Sequence, residues 1–202
     1  PAAQALAQVA AVAAADFEAE LAADVLGQPL LTLAEPWREL EAAQVLQRDG
    51  YVHEMLLEAA RRGLPEALRR PLHARVAHCL RRRGAEPQRV AVHFRAAGLW
   101  LEAGETALAA AARARSLGRL QERLERVHEA ADAFAQAGQP AAEFEARALE
   151  VTARYALDGP APALALLDEL LPLAPHRQAR VRLHLERAGL LLSQYRSADW
   201  AN

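Results

Sequence analysis

Gly118, Gly138 and Gly159 stand 20 and 21 residues apart, and Pro140 and Pro160 follow closely on two of them. Glycine stops helices and proline opens them. The spacing therefore predicts one helix and turn per ~20 residues, or one helical hairpin per ~40. Between these marks the apolar residues keep a helical step. Leu120, Leu124, Val127, Ala131 and Phe134 share one face, as do Phe144, Ala148, Val151 and Tyr155. Val181, Leu185, Ala188, Leu192 and Tyr195 repeat the pattern, and His128 and His184 read as partly buried packing residues beside these faces. Such hairpins bury their faces only by stacking, so the end of the array is expected to be a weakly capped, adhesive edge.

Composition agrees with helices throughout. Hydrophobic residues make up 52% of the chain and aromatics only 5%, with alanine prominent. Alanine is the best helix former, whereas strands favour aromatic and β-branched residues. Residues 1–54 read as three helices and a small hairpin. "DFEAELAADVLG" has Asp16 as its N-cap and Gly27 as its stop. The third helix begins near Glu35 with Pro36 in its first turn, and a hairpin turns on Arg48-Asp49-Gly50. Two further helices, broken at Gly63 and reopened at Pro65, complete a domain over 1–83. Residues 84–202 form the repeats. Trp37 and Tyr51 are expected to anchor the first core.

Absences narrow the chemistry. All 24 basic residues are arginine. A phosphate-binding P-loop needs a lysine, as does Schiff-base chemistry, so neither is carried by this chain. A single cysteine, Cys79, forms no internal disulfide, which suits the cytoplasm. No apolar run reaches the length of a membrane span. A first residue that is proline, and an end at "RSADWAN", read as an internal piece of a longer chain.

The histidines invite a metal site, with His73, His78, Cys79 and His93 the nearest group. Two ligands on one helix should lie three or four residues apart. His73 and His78 are five apart, so packing with Val76, Ala77 and Leu80 is the expectation for His73, and no metal is expected. The three serines and three threonines form no nucleophile elbow, and the carboxylates are expected on solvent faces. Nucleic-acid binding is disfavoured by charge. Residues 1–54 carry nine acids against Arg38 and Arg48, a net charge near −7, and the third helix offers Glu35, Glu39 and Glu41. Residues 61–95 hold ten arginines against two glutamates, which fits a solvated or domain-facing surface.

The stretch "GYVHEMLLEAARRGLPEALRRPLHARVAHCL", residues 50–80, resembles a run found in the STAND-class signal-transduction ATPases of bacteria. These include LuxR-like and antibiotic-regulator-like transcriptional regulators and cyclase-linked ATPases. The resemblance implies a nucleotide-binding domain upstream, then a winged helix, then a tetratricopeptide-like superhelix. It is specific over 51–80 and looser in the repeats. Val52-His53-Glu54 matches the family's histidine-aspartate pair, with glutamate in the aspartate's place. The resemblance implies that His53 and Glu54 sense nucleotide, His53 reaching the β-phosphate of ADP bound by the absent ATPase domain. It implies no cofactor in this segment, ADP or ATP in the parent, and a protein or small-molecule inducer on the repeats. From the residues alone, a capping or core role for His53 stays open.

The expected architecture is thus mainly all-α: a winged-helix-like domain with one short β-hairpin, followed by a helical superhelix. The expected function is a non-catalytic regulatory and sensor segment in the cytoplasm. A DNA-binding winged helix with a helical-repeat dimerisation tail is the second reading. A metal- or histidine-dependent enzyme is the third.

Overall fold

The computed structural model describes residues 2–47 and 50–199, with the backbone alone for 196–199. Among the described residues there are eleven α-helices and one two-stranded antiparallel sheet. The chain forms two compact units, residues 1–99 and 100–202.

The first unit is organised around α1 (Ala2–Ala13), which touches α2 (Ala19–Leu26), α3 (Ala34–Ala42), α4 (Glu54–Gly63) and α5 (Glu66–Arg82). Its small side chains allow this. Leu6, Val9, Ala10 and Ala11 are almost fully buried, and alanine lets neighbouring backbones come close on several sides. Two short strands, β1 (Leu46–Gln47) and β2 (Gly50–Tyr51), pair with Leu46 opposite Tyr51. The expected hairpin is therefore present, while Arg48 and Asp49, on which it was expected to turn, lie outside the described residues. Tyr51 is half-buried and donates its hydroxyl to the Ala7 carbonyl at 2.7 Å, which fastens the hairpin to α1. Trp37 stacks on buried Phe17 with ring centroids 5.3 Å apart.

One local reading is corrected. Asp16 does not cap α2, because the N-cap residue is Glu18, without a side-chain cap bond. Ala14 at φ 51 turns the chain at the end of α1, and Asp16 instead pairs with Arg89 and His93 of α6 (Pro87–Ala97). A charge-assisted contact with Arg89, made by an Asp16 carboxylate that is largely covered, outcompetes a cap that any carboxylate or solvent can replace. In the first compact unit, residues 1–99, α6 packs on α5, and Val76, Ala77, Val90 and Phe94 of these two helices are buried.

Opposite charges close this unit. Arg83 reaches Glu18 and, at 3.3 Å, Asp24, and Arg89 reaches Asp16. The arginine-rich stretch thus faces the acidic first helices of its own unit at these points.

The second unit is a run of neighbour-packed helices: α7 (Trp100–Ser116), α8 (Leu120–Gln136), α9 (Pro140–Asp158), α10 (Pro160–Leu170) and α11 (Arg177–Asp199). Gly118 and Gly138 take left-handed conformations at φ 70 and 64, closing α7 and α8 as the punctuation predicts. Pro140 and Pro160 occupy first-turn positions. Gly104 of α7 lies so close to Phe134 of α8 that an added Cβ would stand 2.7 Å from the ring.

The face read on α8 is buried, but the face read on α11 is not. Val181, Leu185, Leu192 and Tyr195 are 49–70% exposed. Ala179, Leu183 and Leu190 turn inward instead, against Phe144, Val151, Leu167 and Leu170. Helix α11 is apolar on two sides, and periodicity does not say which side meets α9 and α10. His128 and His184 are exposed rather than partly buried. Glu150, expected on a solvent face, is 5% exposed and lies 3.4 Å from His128 Nδ1.

Candidate functional site

His53 is the N-cap residue of α4, with extended backbone angles, and its carbonyl accepts from Leu56 and Leu57 amides at 3.0 and 3.2 Å. Its side chain is exposed and makes no cap bond. Glu54 is exposed beside it and borders a shallow depression along α4 with Met55, Leu57, Glu58, Arg61 and Arg62. No residue of α4 is fully buried, and Met55 is 84% exposed. Its covered side chains are Leu56, Leu57 and Ala60, each half-buried.

On the other flank of α4 lies a cleft of about 300 Å³, walled by Ala11, Val12, Glu58, Arg61, Arg62, Leu64, Arg69 and His73. The end of α1 supplies the apolar wall, and the Gly63–Pro65 break between α4 and α5 brings the arginines of both helices to one place. Arg61 donates from Nε to the Ala11 carbonyl at 3.2 Å, satisfying an acceptor in the last turn of α1. Arg62 pairs with Glu58 at 2.9 Å. Arg69 pairs with Glu66 at 3.0 Å and donates to the Leu64 carbonyl at 3.4 Å.

Behind the cleft runs a partly buried chain of polar side chains. His73 Nδ1 lies 2.9 Å from His93 Nδ1, and His93 Nε2 lies 3.3 Å from Asp16 Oδ2, with Arg89 on the other oxygen of Asp16. His93 is 5% exposed. Burial pushes His73 down to about 4, with His93, Arg69 and Arg61 adding to the effect. Burial also lowers His93, against the opposing pull of Asp16. Both rings are therefore neutral near pH 7, and the hydrogens can be assigned. A carboxylate only accepts, so His93 donates from Nε2 and keeps a lone pair on Nδ1. His73 must then donate from Nδ1, leaving its Nε2 as an acceptor.

The nearest group of metal-ligating side chains in the sequence is split by the fold. His73 and His93 meet across the α5–α6 hairpin, a partnership that spacing within one helix does not reveal. His78 instead packs edge-on against Phe94, with centroids 5.2 Å apart. Cys79 is buried and accepts from Arg82 Nη2 at 3.3 Å. Among the described residues no three His, Cys, Asp or Glu side chains form a set able to hold a metal ion. Asp16, Arg89 and the arginine cleft were not singled out as a site by sequence reading. The available signal was the two histidines placed to face each other in a short helical hairpin.

Comparison of the chain with protein-family models, with curated proteins and with solved structures finds no match.

Proposed function

We propose that this chain is a non-catalytic regulatory and sensor segment of a larger signal-transduction ATPase. In this reading residues 1–54 form a winged-helix-like unit that couples nucleotide state to a tetratricopeptide-like helical array, which binds a protein or small-molecule inducer. The observation that carries the reading is His53. It stands exposed at the hairpin-to-helix junction, without a side-chain cap bond, on a helix that has no fully buried residue. Packing within this unit gives the His53 side chain no task; an ADP phosphate from a neighbouring domain would. Three helices followed by a hairpin, and helices stacked neighbour on neighbour, support the two architectural parts.

The alternative of direct DNA binding has less support. Glu35, Glu39 and Glu41 are exposed on α3, the helix that would enter a groove, and Arg38 is paired with Glu35 at 3.1 Å. A cytoplasmic setting fits the free cysteine, and among the described residues no helix is long and apolar enough to cross a membrane.

The test uses the polypeptide that includes the residues preceding Pro1. ADP retention should weaken about tenfold to a hundredfold in His53→Ala, the loss of one charge-assisted hydrogen bond of ~1.5–3 kcal/mol. The same change in residues 1–202 should leave thermal stability within about 0.5 kcal/mol, since no internal bond is lost. A preceding segment without Walker motifs, or ADP retention indifferent to His53, would end the reading.

A further inference from the structure

The arginine cleft has an excess of positive charge that its own unit does not neutralise. Arg61, Arg62, Arg69 and Arg70 surround it or adjoin it, and the carboxylates beside them are Glu58 and Glu66. Glu58 is held by Arg62, and Glu66 is divided between Arg69 at 3.0 Å and Arg70 at 3.5 Å. Arg61 has no carboxylate partner among the described residues; its Nε is anchored on Ala11, which fixes the guanidinium plane at the cleft wall. Anchoring matters, because a guanidinium already ordered by its own unit loses little freedom on taking a ligand.

His73 completes the wall from the other side. Its Nδ1 is committed to His93, so only Nε2 is left to meet a ligand, as an acceptor when neutral and as a donor when protonated. The groups facing it are His93 from α6, Arg61 from α4, and Glu66 and Arg69 from α5. Burial is the main obstacle to a proton on His73; a dianion among these arginines would offset the smaller opposition from their charge, and a protonated His73 would give the dianion one more donor. The cleft is small, at the lower limit of ordinary ligand pockets, and Ala11, Val12 and Leu64 supply its apolar lining.

We propose that this cleft binds a compact tetrahedral dianion, phosphate-like in charge and shape, between Arg61, Arg62 and Arg69, and that binding is coupled to protonation of His73. The chemistry is shared by free inorganic phosphate and by the phosphoryl head of a small ester. The proposal stands without the ATPase reading, because all the residues belong to residues 1–99.

The experiment titrates sulfate into the whole chain at constant ionic strength, chloride being the replaced ion. Sulfate stays a dianion over the whole pH range used, so any pH dependence belongs to the protein. Side-chain Nε–H resonances of Arg61 and Arg69 and the imidazole nitrogens of His73 are followed by NMR. Saturable shifts at these residues are expected, with affinity rising at least threefold between pH 7 and pH 5. The pH at which His73 titrates should move upward in saturating sulfate. In Arg62→Gln/Arg69→Gln, which keeps the Arg61 anchor on α1, affinity should fall at least tenfold. Shifts that never saturate or that spread evenly over surface arginines would overturn the proposal, as would unchanged affinity in the double variant. An unmoved His73 titration in saturating sulfate would overturn the coupling. Inorganic phosphate and glycerol phosphate are then compared at equal charge: a tighter ester identifies a phosphoryl head, and a tighter free ion identifies the inorganic anion.

Discussion

His73 and His93 are 20 residues apart in sequence and meet Nδ1 to Nδ1 at 2.9 Å. The contact couples two imidazoles that both resist protonation, because a proton on either would place charge in a buried site and remove the acceptor that the pair needs.

The pair should make the fold acid-sensitive. His73 is held down at about 4 in the folded chain, against an ordinary value of 6.5. Above that ordinary value neither state binds the proton, so the full contribution to stability is present. As pH falls from there toward 4, the unfolded chain takes up a proton that the folded chain refuses, and stability falls. Thermal melts between pH 7 and pH 5, above the range where most carboxylates titrate, should show Tm decreasing. His73→Gln should flatten this slope. An equal slope in the variant would mean that the pair is not its source.

Tyr51 should control the opposite limb. Burial pushes its phenol up to about 12, although Arg61 acts against the shift. The raised value means that stability is intact below the ordinary value of 10 and is lost as pH rises through 12. Tyr51→Phe should cost about 1 kcal/mol at neutral pH, through the lost bond to the Ala7 carbonyl. It should also make stability less dependent on pH in the alkaline range. Denaturant titrations at pH 7 and pH 10.5 check both parts.

Gly104 and Phe134 should behave as a lock between α7 and α8. Gly104→Val places carbon where the buried ring now lies and should cost about 1–3 kcal/mol. Adding Phe134→Leu should recover part of that loss, giving a coupling energy of opposite sign to the single costs. A double-mutant cycle from urea unfolding measures it. Strict additivity would show that the cost of Gly104→Val does not arise from the Phe134 ring.

The limits of sequence reading are clearest at Asp16 and on α11. Gly27, Gly118 and Gly138 stop their helices as read, and Pro140 and Pro160 open theirs, because these effects are settled within one turn of backbone. The buried face of α8 was likewise legible from a strong local pattern, whereas the residues alone left a capping or core role open for His53, which is exposed. Asp16 has the right residue type for a helix cap, yet it lies against Arg89 and His93, as many as 77 residues away. Helix α11 carries apolar residues on two sides, and the stripe from Val181 to Tyr195 is the one left uncovered. A period identifies a face without naming its neighbour. The local sequence thus determined the glycine stops and the proline-opened starts, because turn chemistry acts over a few residues. Only packing decided which faces they bury and which distant charges they bring together, because burial of a group depends on every element that closes over it.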